Sequence, residues 1–151
     1  MDGNNTATRL PVEDWRAFRG VLSRRVLGFL VDYLIVGTIG TILGLIITVF
    51  TLGLGLFVWA FIYPLVAIIY FGRTMGGPAQ ASPGMRMAGL RLVRLDGKTI
   101  DFPTAVIHLV LFWAGNAILT PLIVLVGLFT DRSRLLHDLL MGTAMMRTDS
   151  F

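Results

Sequence analysis

Cysteine is absent from this chain. That excludes disulfides, thiolate metal sites and a cysteine nucleophile, and says little about compartment. Charge is sparse and unevenly placed. Val26 to Phe50 holds one charged residue, Asp32; Leu52 to Phe71 holds none; Thr104 to Thr130 holds none, with His108 its only titratable side chain. The catalytic signatures HExxH, GxSxG and Walker A are also missing, and Ser23 and Ser133 have arginine neighbours but no evident base. An enzyme is therefore not expected, and no cofactor or metal is implied. His108 reads as a packed or interfacial histidine rather than a ligand.

What the chain does have is apolar length. Its mean hydropathy is +0.77. The hydrocarbon core of a bilayer needs about 20 mostly apolar residues per helix. Three such blocks in 151 residues leave no room for a separate soluble domain. The expected fold is an all-α integral membrane helical bundle. The first polar residues are not a signal peptide, because the apolar block after them is too long for one.

Span one is expected from about Arg25 to Phe50, and span two from about Leu54 to Phe71 with a kink at Pro64. Trp59, Tyr63 and Tyr70 read as packing or interface residues. The third block has Gly115, Asn116 and Pro121 near its middle. It is either one long span or a broken, re-entrant pair of half-helices; two full spans would need about 40 residues. Gly40 and Gly44 form a GxxxG pair, which suits close helix packing within the chain or between copies.

Interfacial helices are expected at both ends. From Pro11, the residues Val12, Trp15, Phe18 and Leu22 recur at helical spacing among arginines. At the other end, Leu135, Leu136, Leu139 and Leu140 mark a short amphipathic helix. Between spans two and three, Asp96-Gly97 separates Leu90–Leu95 from Lys98–Asp101, which predicts a small cytoplasmic β-hairpin.

The basic residues set the expected orientation. Five lie at or before Arg25, none lies between the first two spans, and five lie between Gly72 and Pro103. The N-terminus and loop 72–103 are therefore expected in the cytoplasm. Arg132, Arg134 and Arg147 come after the third block, and a re-entrant block would keep them on that same side. The net charge of +4 suits anionic lipid rather than nucleic acid, with Arg86, Arg91, Arg94 and Lys98 as candidate headgroup contacts.

Asp32 is the most informative residue. A carboxylate inside a span costs about 2.5–3.5 kcal/mol on insertion scales, so it needs a partner, a proton or water. Arg25 lies seven residues earlier, almost two turns away on the same face. Near the C-terminus, Arg134 and Asp138 stand at i and i+4, with His137 beside the aspartate.

The segment from Arg25 to Asp32, the loop Ser82-Pro83-Gly84-Met85-Arg86-Met87-Ala88-Gly89, and Leu136-His137-Asp138-Leu139-Leu140-Met141-Gly142-Thr143 together resemble the signatures of the RDD family of small bacterial membrane proteins. They occur in the family's order over about residues 19–146. The loop has Met85 where the family commonly has lysine. The resemblance implies a single membrane domain over 11–146, between a disordered residue 1–10 segment and a tail at 147–151. It also implies a multi-pass location in the bacterial inner membrane. The family's arginine and two aspartates fall on Arg25, Asp32 and Asp138.

Some members of that family are reported to exchange monovalent cations for protons. On that reading Asp32 binds the ion, Arg25 tunes it, and His137 with Asp138 relays protons in a homo-oligomer. The alternative is a non-transporting scaffold or accessory subunit, in which Arg25, Asp32, Arg134 and Asp138 form a structural ion network and the protein binds lipid.

Overall fold

The computed structural model describes residues 15–119 and 129–148. Expectations placed on residues 1–14, 120–128 and 149–151 lie outside the described residues. The chain is mostly helical, with two long apolar helices and one two-stranded sheet.

A 3-10 turn at Trp15–Phe18 ends at Gly20, whose φ of 71° breaks it from the first helix, α1 (Val21–Phe50). A second 3-10 turn, Leu54–Val58, runs into α2 (Trp59–Met75), which contains Pro64. Arg16–Phe50 and Leu54–Met75 are long and apolar enough to cross a membrane. Gly53, with φ of 97°, helps to turn the chain between them. Next are a short helix α3 (Pro83–Met87) and strand β1 (Leu90–Arg94). Then come α4 (Phe102–Leu119), α5 (Leu136–Met141) and strand β2 (Thr143–Arg147).

α1 and α2 form an antiparallel pair built on small residues. A Cβ on Gly40 would meet the Tyr63 ring at 2.7 Å, one on Gly44 the Trp59 indole at 2.8 Å, and one on Gly55 the Thr48 backbone at 2.6 Å. Polar side chains close the same seam. Thr41 and Tyr63 hydroxyls lie 3.0 Å apart, and Trp59 Nε1 donates to Thr48 Oγ1 at 3.0 Å. The GxxxG face is thus covered inside the chain, so an oligomer would have to use another face. Valine at Gly40 or Gly44 is expected to lower the thermal midpoint, costing about 1–3 kcal/mol as the ring on α2 is pushed off its site. Unfolding of the purified variants in detergent checks this, and a midpoint equal to wild type would contradict the packing.

α4 begins where Asp101 caps it: the amide of Thr104 donates to Asp101 Oδ1 at 3.0 Å. The Thr104 side chain first, and then this amide, hold the Asp101 carboxyl below the usual carboxylate range. A Cβ on Gly72 would meet the Phe102 ring at 2.5 Å, so the end of α2 packs on the start of α4. The rings of Phe29 and Phe112 stand 5.7 Å apart, so α4 also lies against α1.

The expected hairpin is replaced by a long-range pairing. β1 pairs antiparallel with β2, with Leu90 opposite Arg147 and Arg94 opposite Thr143. The turn itself is present: Gly97 has φ of 76° and its amide donates to the Arg94 carbonyl at 3.2 Å. The stretch from Lys98 to Asp101 does not return as a strand, because its groups are used elsewhere. The Lys98 amide bonds to Asp96 Oδ1, Ile100 is buried in the core, and Asp101 is committed to capping α4.

The core sits at one end of the helices. Val21, Met75, Met85, Leu90, Leu92, Ile100 and Ala105 pack together there. Ala17 and Phe18 cover Val93, Ala144 and Met146. The N-terminal turn therefore buries Ala17 and Phe18 on the sheet, while residues 11–14 of the expected interfacial helix lie outside the described residues. α5 also differs from expectation. It starts after Arg134, which lies in extended backbone (ψ 134°), so the helical i, i+4 register with Asp138 does not apply.

Candidate functional site

Six residues carry nearly all the polar chemistry inside this framework, and they come from every helix except the shortest. α1 presents a narrow buried stripe: Val21, Arg25, Gly28, Asp32, Gly40 and Gly44. Its two charged members have different partners.

Arg25 Nη1 donates to Asp138 Oδ2 at 2.6 Å, across 113 residues of sequence. The side chains are 6% and 0% exposed. Asp138 is placed by the N-terminus of α5, where its Oδ2 also accepts the Leu135 amide at 3.1 Å. Thr143, the first residue of β2, donates to Oδ1 at 3.3 Å. Burial works against the charge on Asp138, but Arg25 and the two histidines outweigh it and hold the carboxyl below its ordinary value.

Asp32 is tied elsewhere. Oδ1 accepts from the Tyr70 hydroxyl at 2.7 Å and from the Gly84 amide at 2.8 Å. Oδ2 accepts from the Ser82 hydroxyl. Ser82 caps α3 by accepting the Met85 amide at 3.2 Å, so one hydroxyl links α1 to the loop and starts the short helix. The expected approach of Arg25 to Asp32 gives way to two separate ties, one to the C-terminal segment and one to the central loop.

His108 and His137 flank Asp138. Their rings meet edge to face with centroids 4.6 Å apart. They are 3% and 2% exposed. From the sequence, His108 can meet His137 and Asp138 only if the third block folds back. Leu119 ends α4, yet Leu135–Asp138 lie beside His108, less than two turns from the start of that helix. The chain therefore returns to the end at which α4 begins.

A cavity of about 260 Å³ opens between α1, α2 and α4. Its walls include Val26, Phe29, Phe71, Met75, Phe112 and Trp113, and its polar groups include Arg25, Asp32, His108 and His137. Nε and Nη2 of Arg25 are buried there without a hydrogen-bond partner.

The basic loop residues divide. Arg86 and Lys98 are exposed and Arg91 is half-buried. Arg94 is bound to Asp96 through Nε at 3.0 Å and Nη2 at 2.6 Å, which holds the Asp96 carboxyl below its usual range. Arg134 is half-buried just before α5.

Tyr70, Ser82, Gly84 and Thr143 do not stand out as site residues in the sequence. Ser82 had a signal, since Ser-Pro-Gly is a helix start with a capping hydroxyl. Tyr70 had none beyond its place near the end of span two.

Fold and site together define a small helical protein with two membrane-length helices, whose buried arginine and aspartates tie α1 to the loop and to the C-terminal segment. The family model of the RDD family matches residues 19–142, and the chain belongs to that family. No curated protein and no solved structure shows a significant match.

Proposed function

We propose that this chain is a non-enzymatic integral membrane module whose Arg25, Asp32 and Asp138 act as internal ties rather than as a cation-exchange site. Membrane insertion is supported by the inverted distribution on α1. Its buried positions are mainly glycine, arginine and aspartate, whereas Leu27, Leu34, Val49 and Phe50 are 61%, 68%, 71% and 84% exposed. Water would make such a surface a large penalty; a bilayer makes it the solvent-facing side. The return of the chain beside His108 favours a third block that enters and leaves on one side. The N-terminal arginines and Arg132 and Arg134 then share the cytoplasmic face of a bacterial inner membrane, against anionic lipid.

The observation that carries the structural reading is the state of Asp32. Both oxygens accept hydrogen bonds from groups that have no need of a cation. Three donors from α2 and the central loop hold the carboxylate in place, so it anchors that loop to α1. The exchange reading draws on one feature, the cavity shared by Arg25, Asp32 and the histidines. Proton movement in vesicles bearing the purified protein decides between them. On adding sodium, lithium or potassium, no flux above empty vesicles is expected. Flux in wild type that disappears in a folded Asp32→Asn variant would establish Asp32 as a transport carboxylate.

A further inference from the structure

The tie to Arg25 uses one oxygen of Asp138; the other faces two imidazoles. Nε2 of His108 lies 3.7 Å and Nε2 of His137 lies 3.6 Å from Oδ1. Hydrogen bonds between charged nitrogen and carboxylate close to about 2.7–2.9 Å. Neither ring is therefore bonded to Asp138. The two Nε2–Oδ1 spacings come close to the edge of a coordination shell, and a small rotation of the rings would draw in the wider separation among the three donors. With metal–ligand bonds of about 2.0–2.1 Å, two ligands stand about 3.4 Å apart at a tetrahedral angle and about 3.6 Å apart at a trigonal one.

All three side chains are buried, and one donor atom from each falls within 4.8 Å of the other two. Nδ1 of both histidines has no hydrogen-bond partner, so no contact fixes the proton on Nε2 and closes its lone pair. The carboxylate is already oriented. Arg25 and the Leu135 amide hold Oδ2, and Oδ1, which accepts from Thr143, keeps a lone pair on the side of the rings. His108 and His137 also line the cavity, which offers room for a water as a fourth ligand.

We propose that His108, His137 and Asp138 form a binding site for a transition-metal dication of the zinc class. The donor set selects the metal. Arg25 offsets the single carboxylate charge, so the site has little to offer sodium, magnesium or calcium, which take oxygen ligands. Zinc, nickel and copper bind imidazole strongly enough to enter. The inference goes beyond the structural reading, since the tie to Arg25 needs only Oδ2 of Asp138.

The chain contains two histidines, which makes the test direct. Untagged protein in detergent is stripped with chelator and titrated with zinc while the nitrogen resonances of its imidazoles are followed. Saturation at one equivalent, with both Nε2 signals shifting together, is expected. Cobalt should give the visible absorption of a four-coordinate site, and His108→Gln, which removes a direct ligand, should weaken zinc binding by at least about 100-fold, the upper end of what losing an outer-shell partner costs, with the fold retained. No saturable binding in wild type, or binding that leaves either Nε2 signal unmoved, overturns the proposal. The resonances answer even if His108→Gln fails to fold. Proton flux plays no part in this readout, so its outcome is independent of the vesicle experiment.

Discussion

Asp138→Ala is expected to lower stability by about 3–5 kcal/mol, because it leaves the Arg25 guanidinium buried with no counter-charge. Nε and Nη2 of that side chain already lack partners, so losing the 2.6 Å bond at Nη1 removes its one hydrogen bond among the described residues. Arg25→Ala should cost less. The Asp138 carboxylate keeps the Leu135 amide and the Thr143 hydroxyl. The double variant Arg25→Met with Asp138→Leu removes both charges and fills the space with apolar atoms. It should recover most of the loss, since apolar replacement of a whole buried pair is often neutral or better. Chemical unfolding of the three proteins in detergent measures this. If each single variant loses no more than about 1 kcal/mol, the pair behaves as an exposed one and is not the tie described here.

The parts of this arrangement differ in how well a sequence can announce them. Arg25, Asp32 and Asp138 stand out because the first two sit beside or within an apolar run, where charge is costly, and the third sits in a recognisable terminal signature. Their partners do not stand out. The sequence sets Arg25 on the same helical face as Asp32 and suggests that they meet. Yet Asp32 takes a tyrosine 38 residues away and a serine 50 residues away, while Arg25 takes a carboxylate 113 residues away. Local spacing carries no information about such pairs. The strand shows the same limit. Leu90–Arg94 is a strand, as its composition suggests, but its edge is filled by Thr143–Arg147. Asp96-Gly97 turns the chain and then delivers it to the cap of α4 instead. Gly40 and Gly44 were readable as a packing face, whereas the aromatic rings that fill it became evident only with α2 folded back against α1.

Gly84→Ala is expected to be the most damaging single methyl in the described chain. A Cβ there would lie 2.1 Å from the Gly28 carbonyl oxygen and 2.7 Å from Cγ of Asp32. The first obstacle is helix backbone two turns into α1, so it cannot swing aside as a side-chain tip would. α3 must move off α1, and that movement breaks the Gly84 amide bond to Asp32 and strains the Ser82 bond beside it. Overpacking and an under-bonded buried carboxylate together come to about 4 kcal/mol or more. Gly28→Ala meets the same crossing from the other side at 3.2 Å, so it should cost only about 1–2 kcal/mol. Gly37 faces open space, and alanine there should be neutral or slightly stabilising, as alanine favours helix over glycine by about 0.5–1 kcal/mol. Thermal midpoints of the purified variants should therefore fall in the order Gly37, Gly28, Gly84. A Gly84→Ala protein as stable as Gly37→Ala would mean that α3 does not press on α1. The clamp on Asp32 would then lose its support, and the carboxylate would be open to a cation after all.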